Sequence, residues 1–256
     1  MKTKQLILLF ITSLTLLFSC KSTRTTSVTK YKDKILFVLT NVSEKGNSNE
    51  KTGFWLSETT HVWKPLINQG YEVDFISPQG GNAPIDPHSF DLKDPINKEF
   101  WENKIYKNKI QNTYKPSGIN PNDYIAIHFV GGHGTMWDFP NNAEIANIAK
   151  IIYENNGFIT AVCHGPAGLI NIKLSDGNYL VKGKKISAFT NEEEAVLKAT
   201  DIVPFLLEDE LISRGAIFEK VSAWEEKVVV DGRLITGQNP ASAKQIGVLL
   251  TNLIKK

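Results

Sequence analysis

The sequence predicts an α/β protein in which helices cover both faces of a mostly parallel β-sheet. Short apolar runs rich in Val, Ile and Phe recur along the chain, and amphipathic stretches of helical length lie between several of them. Strands that alternate with helices are typical of a parallel sheet whose strands are buried on both faces. Because we find no internal repeat and no second linker, residues 33–256 are expected to form a single domain.

Seven short runs are strand candidates because they are rich in β-branched and aromatic residues. The four most apolar are KILFVLT (34–40), YEVDFIS (71–77), YIAIHFV (124–130) and GFITAV (157–162). Three later candidates are KKISAF (184–189), AIFEKV (216–221) and EKVVVDGRLITG (226–237). The first four are expected to form the centre of the sheet.

Three stretches are predicted helices, and one long segment interrupts the alternation of strands and helices. The helices are TGFWLSETTHVWKPLINQG (52–70), NAEIANIAKIIYENNG (142–157) and ASAKQIGVLLTNLIKK (241–256). The interruption, at about residues 80–120, is rich in Asp, Pro and Asn and then carries several aromatic residues. A long insertion in a compact domain is usually a lid or a binding loop, so we expect a lid-like insertion. Its aromatic residues are equally suited to packing against the body.

The first 32 residues differ from the rest of the chain. Two lysines precede an apolar stretch that ends in Leu17-Phe18-Ser19-Cys20, which resembles the lipobox of a bacterial lipoprotein. We therefore predict a lipoprotein signal peptide over 1–19, lipid on Cys20 and a polar tether over 20–32. The protein is then exported and anchored to a bacterial membrane on the periplasmic or cell-envelope side. A soluble secreted protein cleaved nearby is the alternative.

Composition and cysteine content narrow the function. Charged residues are 22% of the chain, the formal net charge is +2, and the basic residues are scattered, so no nucleic-acid partner is expected. The chain has two cysteines, Cys20 and Cys163. If Cys20 carries lipid, Cys163 has no partner in the mature chain, and a lone thiol in an oxidising compartment indicates reactivity.

Cys163 lies where the fourth predicted strand ends. Its neighbours Ala161 and Gly165 are small, a spacing typical of a nucleophile elbow, which is a tight turn between a strand and a helix. The N-terminus of the following helix is expected to lower the pKa of the thiol and favour the thiolate. A buried core cysteine is the plainer interpretation of the same run, but the position and spacing favour a nucleophile.

Other candidate site residues follow the neighbouring strands. The Gly131-Gly132 pair follows the third strand, and the N–H groups of Gly132 and His164 are suited to form an oxyanion hole. Glu58 lies early in the first helix, where a raised pKa would let it exchange protons near neutral pH. One of the three glutamates at 192–194 is a candidate to orient His164, and the spacing alone does not choose among them.

These stretches together resemble the ThiJ/PfpI superfamily, most closely its branch of heat-shock glyoxalase III and chaperone proteins. In chain order, the matching segments are TGFWLSE, GYEVDFISPQGG, FVGGHGTMWDFP, AVCHGPAGL, ISAFTNEEE and VDGRLITGQNPASA. The resemblance covers roughly residues 33–256. It implies a flavodoxin-like sandwich and, because such proteins are often dimeric, a homodimer.

The resemblance also implies roles for individual residues. Cys163 matches the family's nucleophile, His164 the histidine that follows it, and Glu58 the glutamate that hydrogen-bonds the thiol. Because His164 directly follows Cys163, its ring is expected to point away from the sulfur.

Further residues are matched around this centre. Gly132 matches an oxyanion-hole donor, and Gly131 and His133 lie beside it as oxyanion or substrate-binding candidates. Glu194 best fits the acidic third member of the triad, and Glu193 is the second choice.

Similarity to this branch suggests a glutathione-independent glyoxalase that converts methylglyoxal to lactate without a metal or an organic cofactor. The Cys163 thiolate adds to the aldehyde, Glu58 moves the carbon-bound proton through an enediolate, and the resulting thioester is hydrolysed. The expected partner is therefore a small reactive carbonyl compound. The lactate enantiomer and the physiological substrate stay open.

Four alternatives remain beside this function. Deglycation or amide hydrolysis would use the same thiol, and a holding chaperone would keep its activity in Cys163→Ala. A class I glutamine amidotransferase shares the elbow but needs a late His-x-Glu pair, and no histidine follows His164. A metal site could use Glu58, His61 and His133. The resemblance assigns Glu58 to the thiol instead, so no metal is expected.

Overall fold

A computed structural model describes residues 33–255 and contains eight strands. They are β1 (Lys34–Val38), β2 (Glu72–Ile76), β3 (Tyr124–Phe129), β4 (Phe158–Val162), β5 (Lys185–Ile186), β6 (Ile217–Phe218), β7 (Val228–Asp231) and β8 (Leu234–Gly237). Six of them form the central sheet, in the order β2-β1-β3-β4-β8-β7. Five of these run parallel, and β7 pairs antiparallel with β8 at the edge. The predicted fold class is confirmed.

Eight α-helices surround the sheet within the described residues. They are α1 (Leu56–Asn68), α2 (Pro95–Glu102), α3 (Lys104–Gln111), α4 (Thr135–Asp138), α5 (Ala143–Glu154), α6 (Asn191–Val196), α7 (Leu207–Ser213) and α8 (Ala243–Ile254). The first helix begins later than its sequence pattern indicated, because residues 52–55 are held in an extended conformation. The Phe54 N–H donates to the Pro84 carbonyl (2.9 Å), and the Trp55 N–H donates to the Gly131 carbonyl (3.0 Å).

Alternating side chains of the inner strands build two cores, one on each face of the sheet. In β1, Ile35 and Phe37 pack on the side of α1 and α8, whereas Leu36 and Val38 pack on the side of α5. All four are fully buried, which explains why β1 reads as an uninterrupted apolar run.

The order of the strands places a crevice above β1 and β3. The chain goes from β1 outward to β2 and then returns across β1 to β3, so the strand order reverses between β1 and β3. In open parallel sheets, ligands bind at such a point, beyond the carboxyl ends of the strands. The loops that follow β1, β3 and β4 therefore converge on one edge of the sheet.

The insertion at residues 80–120 packs partly against the body. The ring of Phe100 in α2 lies 5.1 Å from that of Trp63 in α1 and 6.1 Å from that of Phe75 in β2, both edge-on. Tyr106 in α3 contacts the same Trp63 ring at 4.9 Å. The aromatic residues of the insertion thus extend the core over α1, and a lid role for the segment stays a prediction.

The two weakest strand candidates are much shorter than the sequence indicated. Residues 184–189 and 216–221 contribute two residues each, as β5 and β6, to a separate two-stranded sheet. The reason is that side chains satisfy the backbone. The Lys185 N–H donates to Asp231 Oδ2 (3.0 Å), and the Ser187 N–H donates to Thr236 Oγ1 (2.9 Å).

The predicted signal peptide, the lipid on Cys20 and the polar tether lie outside the described residues. The domain boundaries drawn from them, including the single domain over 33–256, stay predictions. Within residues 33–255, no helix is both long enough and apolar enough to cross a membrane.

Candidate active site

Cys163 sits on a strained turn between β4 and a 3₁₀ turn over Gly165–Leu169. Its φ of +57° lies in the left-handed region, which residues other than glycine rarely adopt. The turn is held because the Cys163 N–H donates to the Gly237 carbonyl of β8 (3.0 Å). A Cβ on Gly165 would lie 2.2 Å from the Phe129 carbonyl oxygen, so the turn requires glycine there. The backbone has the geometry that the elbow pattern indicated.

Glu58 lies fully buried in the first turn of α1, beside Cys163. Its Oε2 atom accepts a hydrogen bond from the Gly131 N–H (2.9 Å), while Oε1 has no nitrogen or oxygen partner. Burial raises the pKa of this carboxyl well above its usual range, and the Cys163 thiol and the Gly131 N–H counteract the rise only in part. The carboxyl is therefore able to hold and release a proton near the sulfur.

The surroundings of the Cys163 sulfur disfavour the thiolate. Burial raises its pKa well above the usual range, and the negative charges of Glu58 and Glu193 add to the rise, while the Gly132 N–H opposes it. The sequence predicted a lowered pKa, and this prediction is wrong. The following element is a short 3₁₀ turn whose favourable end is outweighed by desolvation and by two carboxylates. Ionisation of the thiol therefore requires a nearby proton acceptor.

His164 provides that acceptor. Its Nδ1 atom lies 3.3 Å from the Cys163 sulfur, and its Nε2 atom lies 2.9 Å from Oε2 of Glu194. The expectation that this ring points away from the sulfur is wrong, because the left-handed backbone at Cys163 turns both side chains to the same side. A carboxylate only accepts hydrogen bonds, so Nε2 carries a hydrogen, and Nδ1 is the ring atom that faces the thiol.

His133 shares the same carboxylate. Its Nε2 atom lies 2.8 Å from Oε1 of Glu194, and its ring centroid lies 4.1 Å from that of His164. Burial lowers the pKa of His133 to about 4, with a further lowering by the adjacent His164 imidazole, so His133 is neutral at pH 7. Burial alone would raise the pKa of Glu194, but the two imidazoles hold it well below its usual range. Glu194 is therefore an anion clamped between two imidazoles.

The three consecutive glutamates lie in three different environments. Glu192 is exposed, Glu194 holds the two histidines, and Glu193 is fully buried elsewhere. One Glu193 oxygen accepts from the Trp224 N–H (3.0 Å) and the Asn239 side-chain amide (2.8 Å), and the other completes a capping box at the start of α6. Glu193 thus anchors two loops, and Glu194 is the carboxylate that contacts His164.

Gly131 and Gly132 allow the loop after β3 to approach the Cys163 sulfur closely. A Cβ on Gly131 would lie 2.4 Å from Glu58 Oε2 and 2.8 Å from Cys163 Cβ. Gly132 has a φ of +103°, and its N–H points to the Cys163 sulfur. These positions are compatible with a donor to a developing oxyanion.

Two further residues support the site and were not singled out from the sequence. The Thr135 hydroxyl donates to the carbonyl of Gly132 (2.9 Å) and lies 3.1 Å from that of His164, so it ties the two loops together. The ring of Phe189 lies 4.2 Å from the His164 ring. The FVGGHGTMW run contains Thr135, but its role depends on a partner distant in sequence.

The residues considered for an alternative metal site, Glu58, His61 and His133, are not brought together. Glu58 is bound to Gly131, whereas the His61 ring lies 2.9 Å from Asp94 at the start of α2. Among the described residues, the group able to hold a metal ion consists of His133, His164 and Glu194, whose ligand atoms lie within 4.8 Å of one another. Because Glu194 already pairs with both imidazoles, this group is satisfied without an ion.

A cavity of about 260 Å³ opens beside His133. Its lining includes Lys45, Trp55, His88 and Leu197. Cys163 itself is buried and only 3% exposed.

The site combines a cysteine on a strained elbow with a buried glutamate, at the crevice of a parallel α/β sheet. This combination defines a class of thiol-dependent α/β proteins. Residues 50–252 match the DJ-1/PfpI family. The chain belongs to this family, which confirms the resemblance found in the sequence.

The chain is similar to two curated yeast proteins over most of its length. It is 35% identical to Glyoxalase 3 of Candida albicans, covering 82% of this chain and 93% of that protein. It is 34% identical to the glutathione-independent glyoxalase HSP31 of Saccharomyces cerevisiae, covering 87% of this chain and 98% of that protein.

Two solved structures share the fold. The Rapid Encystment Protein 24 KDa of Francisella tularensis is 43% identical, with a TM-score of 0.83 over 86% of this chain and 98% of that one. The glyoxalase III structure from Candida albicans is 32% identical, with a TM-score of 0.81 over 87% of this chain and 97% of that one.

The comparisons correct the predicted localisation. The curated relatives that cover most of the chain are glyoxalases of yeasts, and they give no support to an exported bacterial lipoprotein. The prediction of a periplasmic or cell-envelope protein anchored to a membrane through Cys20 is therefore wrong. It rested on two N-terminal lysines, one apolar run and the resemblance of Leu17-Phe18-Ser19-Cys20 to a lipobox, all within the first 20 residues.

Proposed function

We propose that this protein is a glutathione-independent glyoxalase that converts methylglyoxal to lactate at Cys163. The observation that carries the proposal is the buried Glu58 carboxyl, whose raised pKa and unpartnered Oε1 place a proton-exchanging group beside the thiol. The names of the two yeast relatives, at 34% and 35% identity, support the same activity.

The reaction starts with a proton transfer from the thiol to His164. Because Nδ1 lies 3.3 Å from the sulfur and Glu194 stabilises the resulting imidazolium, this transfer needs no movement of the site. The thiolate then adds to the aldehyde carbon, the carbonyl oxygen takes the proton back from His164, and a hemithioacetal forms. The Gly132 N–H is positioned to hold the charge that develops on the oxygen.

Glu58 then carries the isomerisation. In its ionised form, it removes the proton from the hemithioacetal carbon, which leaves an enediolate. It returns the proton to the neighbouring carbon while the hydroxyl proton moves from the first oxygen to the second, and so produces a lactate thioester on Cys163. Water hydrolyses this thioester, which releases lactate and restores the thiol. The isomerisation oxidises the aldehyde carbon and reduces the ketone carbon of the same molecule, so no external oxidant or reductant is consumed.

The test uses the full chain with methylglyoxal in the absence of glutathione, followed by a chiral assay of lactate. The wild type is expected to produce lactate, and Cys163→Ser and Glu58→Gln are expected to lower the rate by about 10²-fold or more. Turnover that persists in both variants would contradict the mechanism. Release of amines from glycated substrates without lactate would favour a deglycase or hydrolase, and suppression of aggregation by Cys163→Ala would favour a chaperone.

We also propose that the protein is a homodimer, as the family resemblance implies. Light scattering on the purified full chain measures the mass in solution and decides between one and two copies.

A further inference from the structure

We propose that His133 is a second proton-transferring imidazole of the site, and that it activates the water that releases lactate from Cys163. The inference rests on the proposed glyoxalase function and concerns its last step. Glu58 and His164 serve the earlier steps, and neither is well placed to receive an incoming water. The hydrogen bonds of His133 and the exposure of Glu58, His164 and His133 to solvent support this inference.

The first observation is the state of the His133 ring. Glu194 accepts one hydrogen bond on each oxygen, from Nε2 of His133 at 2.8 Å and from Nε2 of His164 at 2.9 Å. Because a carboxylate cannot donate, both Nε2 atoms carry hydrogens. The Nδ1 atom of His133 is therefore an unprotonated base, and it makes no hydrogen bond to any residue in the range 33–255.

The second observation is access to solvent. Glu58 is fully buried and His164 is 1% exposed, whereas His133 is 7% exposed and lines the cavity of about 260 Å³. The His133 ring, whose Nδ1 makes no hydrogen bond within residues 33–255, is thus the imidazole of the site that borders that cavity. Water that enters the site meets this imidazole before it meets the other two groups.

The third observation is the position of the ring relative to the sulfur. The His133 ring lies 4.1 Å from the His164 ring, whose Nδ1 is 3.3 Å from the Cys163 sulfur. His133 is thus one imidazole away from the thioester.

The hydrolytic step balances with these groups alone. The water oxygen attacks the thioester carbonyl carbon while one water proton passes to Nδ1 of His133, and the Gly132 N–H holds the resulting oxyanion. The carbon–sulfur bond then breaks, and the sulfur leaves with the electron pair. It takes the proton of the new carboxylic acid by way of Nδ1 of His164, 3.3 Å away, which restores the thiol, and His133 returns its proton to solvent through the cavity. Glu194 stabilises the transient imidazolium through Nε2.

The experiment separates formation of the thioester from its hydrolysis. His133→Gln keeps an amide N–H for Glu194 but has no basic nitrogen. We expect this variant to form the lactate thioester at the wild-type rate in the first turnover and to hydrolyse it about 10²-fold more slowly. The thioester is quenched in acid and trapped with hydroxylamine as the lactate hydroxamate, which a hemithioacetal does not give.

Two controls sharpen the test. His88 lines the same cavity, and its side chain is exposed, so His88→Gln should show wild-type hydrolysis and no trapped thioester. Imidazole added to His133→Ala should restore hydrolysis, a rescue that a purely structural role would not give. If His133→Gln does not fold by circular dichroism, the rescue of His133→Ala carries the test.

The outcomes are distinguishable from failure of the proposed function. A wild type that makes neither lactate nor trapped thioester overturns the glyoxalase proposal itself. A wild type that makes lactate, together with a His133→Gln variant that turns over normally, overturns only the role of His133. A folded His133→Gln variant that forms no thioester also overturns it, because the histidine would then act before hydrolysis.

Discussion

At the scale of the residue, the site shows how identical side chains acquire different functions from their surroundings. Glu193 and Glu194 are adjacent and both buried. Glu193 faces backbone and amide donors of two loops, whereas Glu194 faces only imidazoles. Since successive positions of a helix point about 100° apart, one residue of register decides which glutamate reaches the histidines.

Substitution of the two glutamates should therefore differ in its effect on activity. Both Glu193→Gln and Glu194→Gln should lower the unfolding free energy by roughly 1–3 kcal/mol, because the new amide hydrogens face buried N–H donors. Only Glu194→Gln should also lower kcat/KM by about 10²-fold or more, because an amide cannot accept from both imidazoles. Urea unfolding and lactate assays on both variants measure the pair. Equal losses of activity in the two folded variants would contradict the assignment.

At the scale of the element, the elbow depends on a close approach between the turn after β4 and strand β3. Gly165 lies against the backbone of Phe129, and Gly168 lies against its ring. A sharp turn is not enough to hold Cys163 at a positive φ. The neighbouring strand must also leave space, and two glycines provide it.

Gly165→Ala tests this packing. The added methyl group would lie 2.2 Å from a backbone oxygen, so the turn must shift. We expect a loss of unfolding free energy of about 1–3 kcal/mol and a loss of activity larger than that destabilisation explains, because the sulfur moves with the turn. Gly118→Ala is the matched control, since nothing lies within 4 Å of its added methyl group. Thermal unfolding and lactate formation are compared for both, and equal effects would contradict the role of the elbow.

Elements that a local pattern specifies were predictable, and elements that depend on distant partners were not. The run of β1 is apolar because both faces of that strand are buried, so its pattern alone was sufficient. Strand β5 ends early because Asp231 and Thr236 capture its backbone N–H groups across the fold. Nothing in KKISAF reveals those acceptors.

At the scale of the whole molecule, the same distinction applies to the candidate site. The elbow and the glycine pair follow from short spacings, and the structure places them at the crevice of the sheet. The contact between His133 and Glu194 spans 61 residues and joins two loops that only the folded sheet brings together. The raised pKa of the thiol likewise results from burial and from Glu58 and Glu193, which a local motif does not show.

Burial also shifts the pKa values of several groups, and the resulting effects on stability oppose one another. Burial lowers the pKa of His128 to about 3 and that of His133 to about 4, so the stability that comes from their neutral forms is lost as the pH falls below the ordinary histidine pKa. Burial raises the pKa of Asp138 to about 7 and that of Glu58 well above its usual range, so the stability that comes from their protonated forms is lost as the pH rises above the ordinary carboxyl pKa. Between those two ordinary values, the two sets of groups change the unfolding free energy in opposite directions with pH.

Asp138 provides the sharpest test of this balance because it lies outside the proposed reaction. Its carboxyl accepts hydrogen bonds from the Thr40 hydroxyl (2.8 Å) and the Asn41 N–H (2.8 Å), and so holds the loop after β1. In the unfolded state, the Asp138 carboxyl loses its proton near its ordinary pKa of about 4. In the folded state, burial holds that proton until the pH approaches about 7. The wild type should therefore lose unfolding free energy relative to Asp138→Asn over this interval, by an amount on the order of a few kcal/mol. Urea unfolding at pH 5, 6, 7 and 8 measures the difference, with the exposed Asp201→Asn as the control. Parallel curves for the wild type and Asp138→Asn would show that Asp138 does not titrate in this range, and that burial of its carboxyl leaves stability independent of pH.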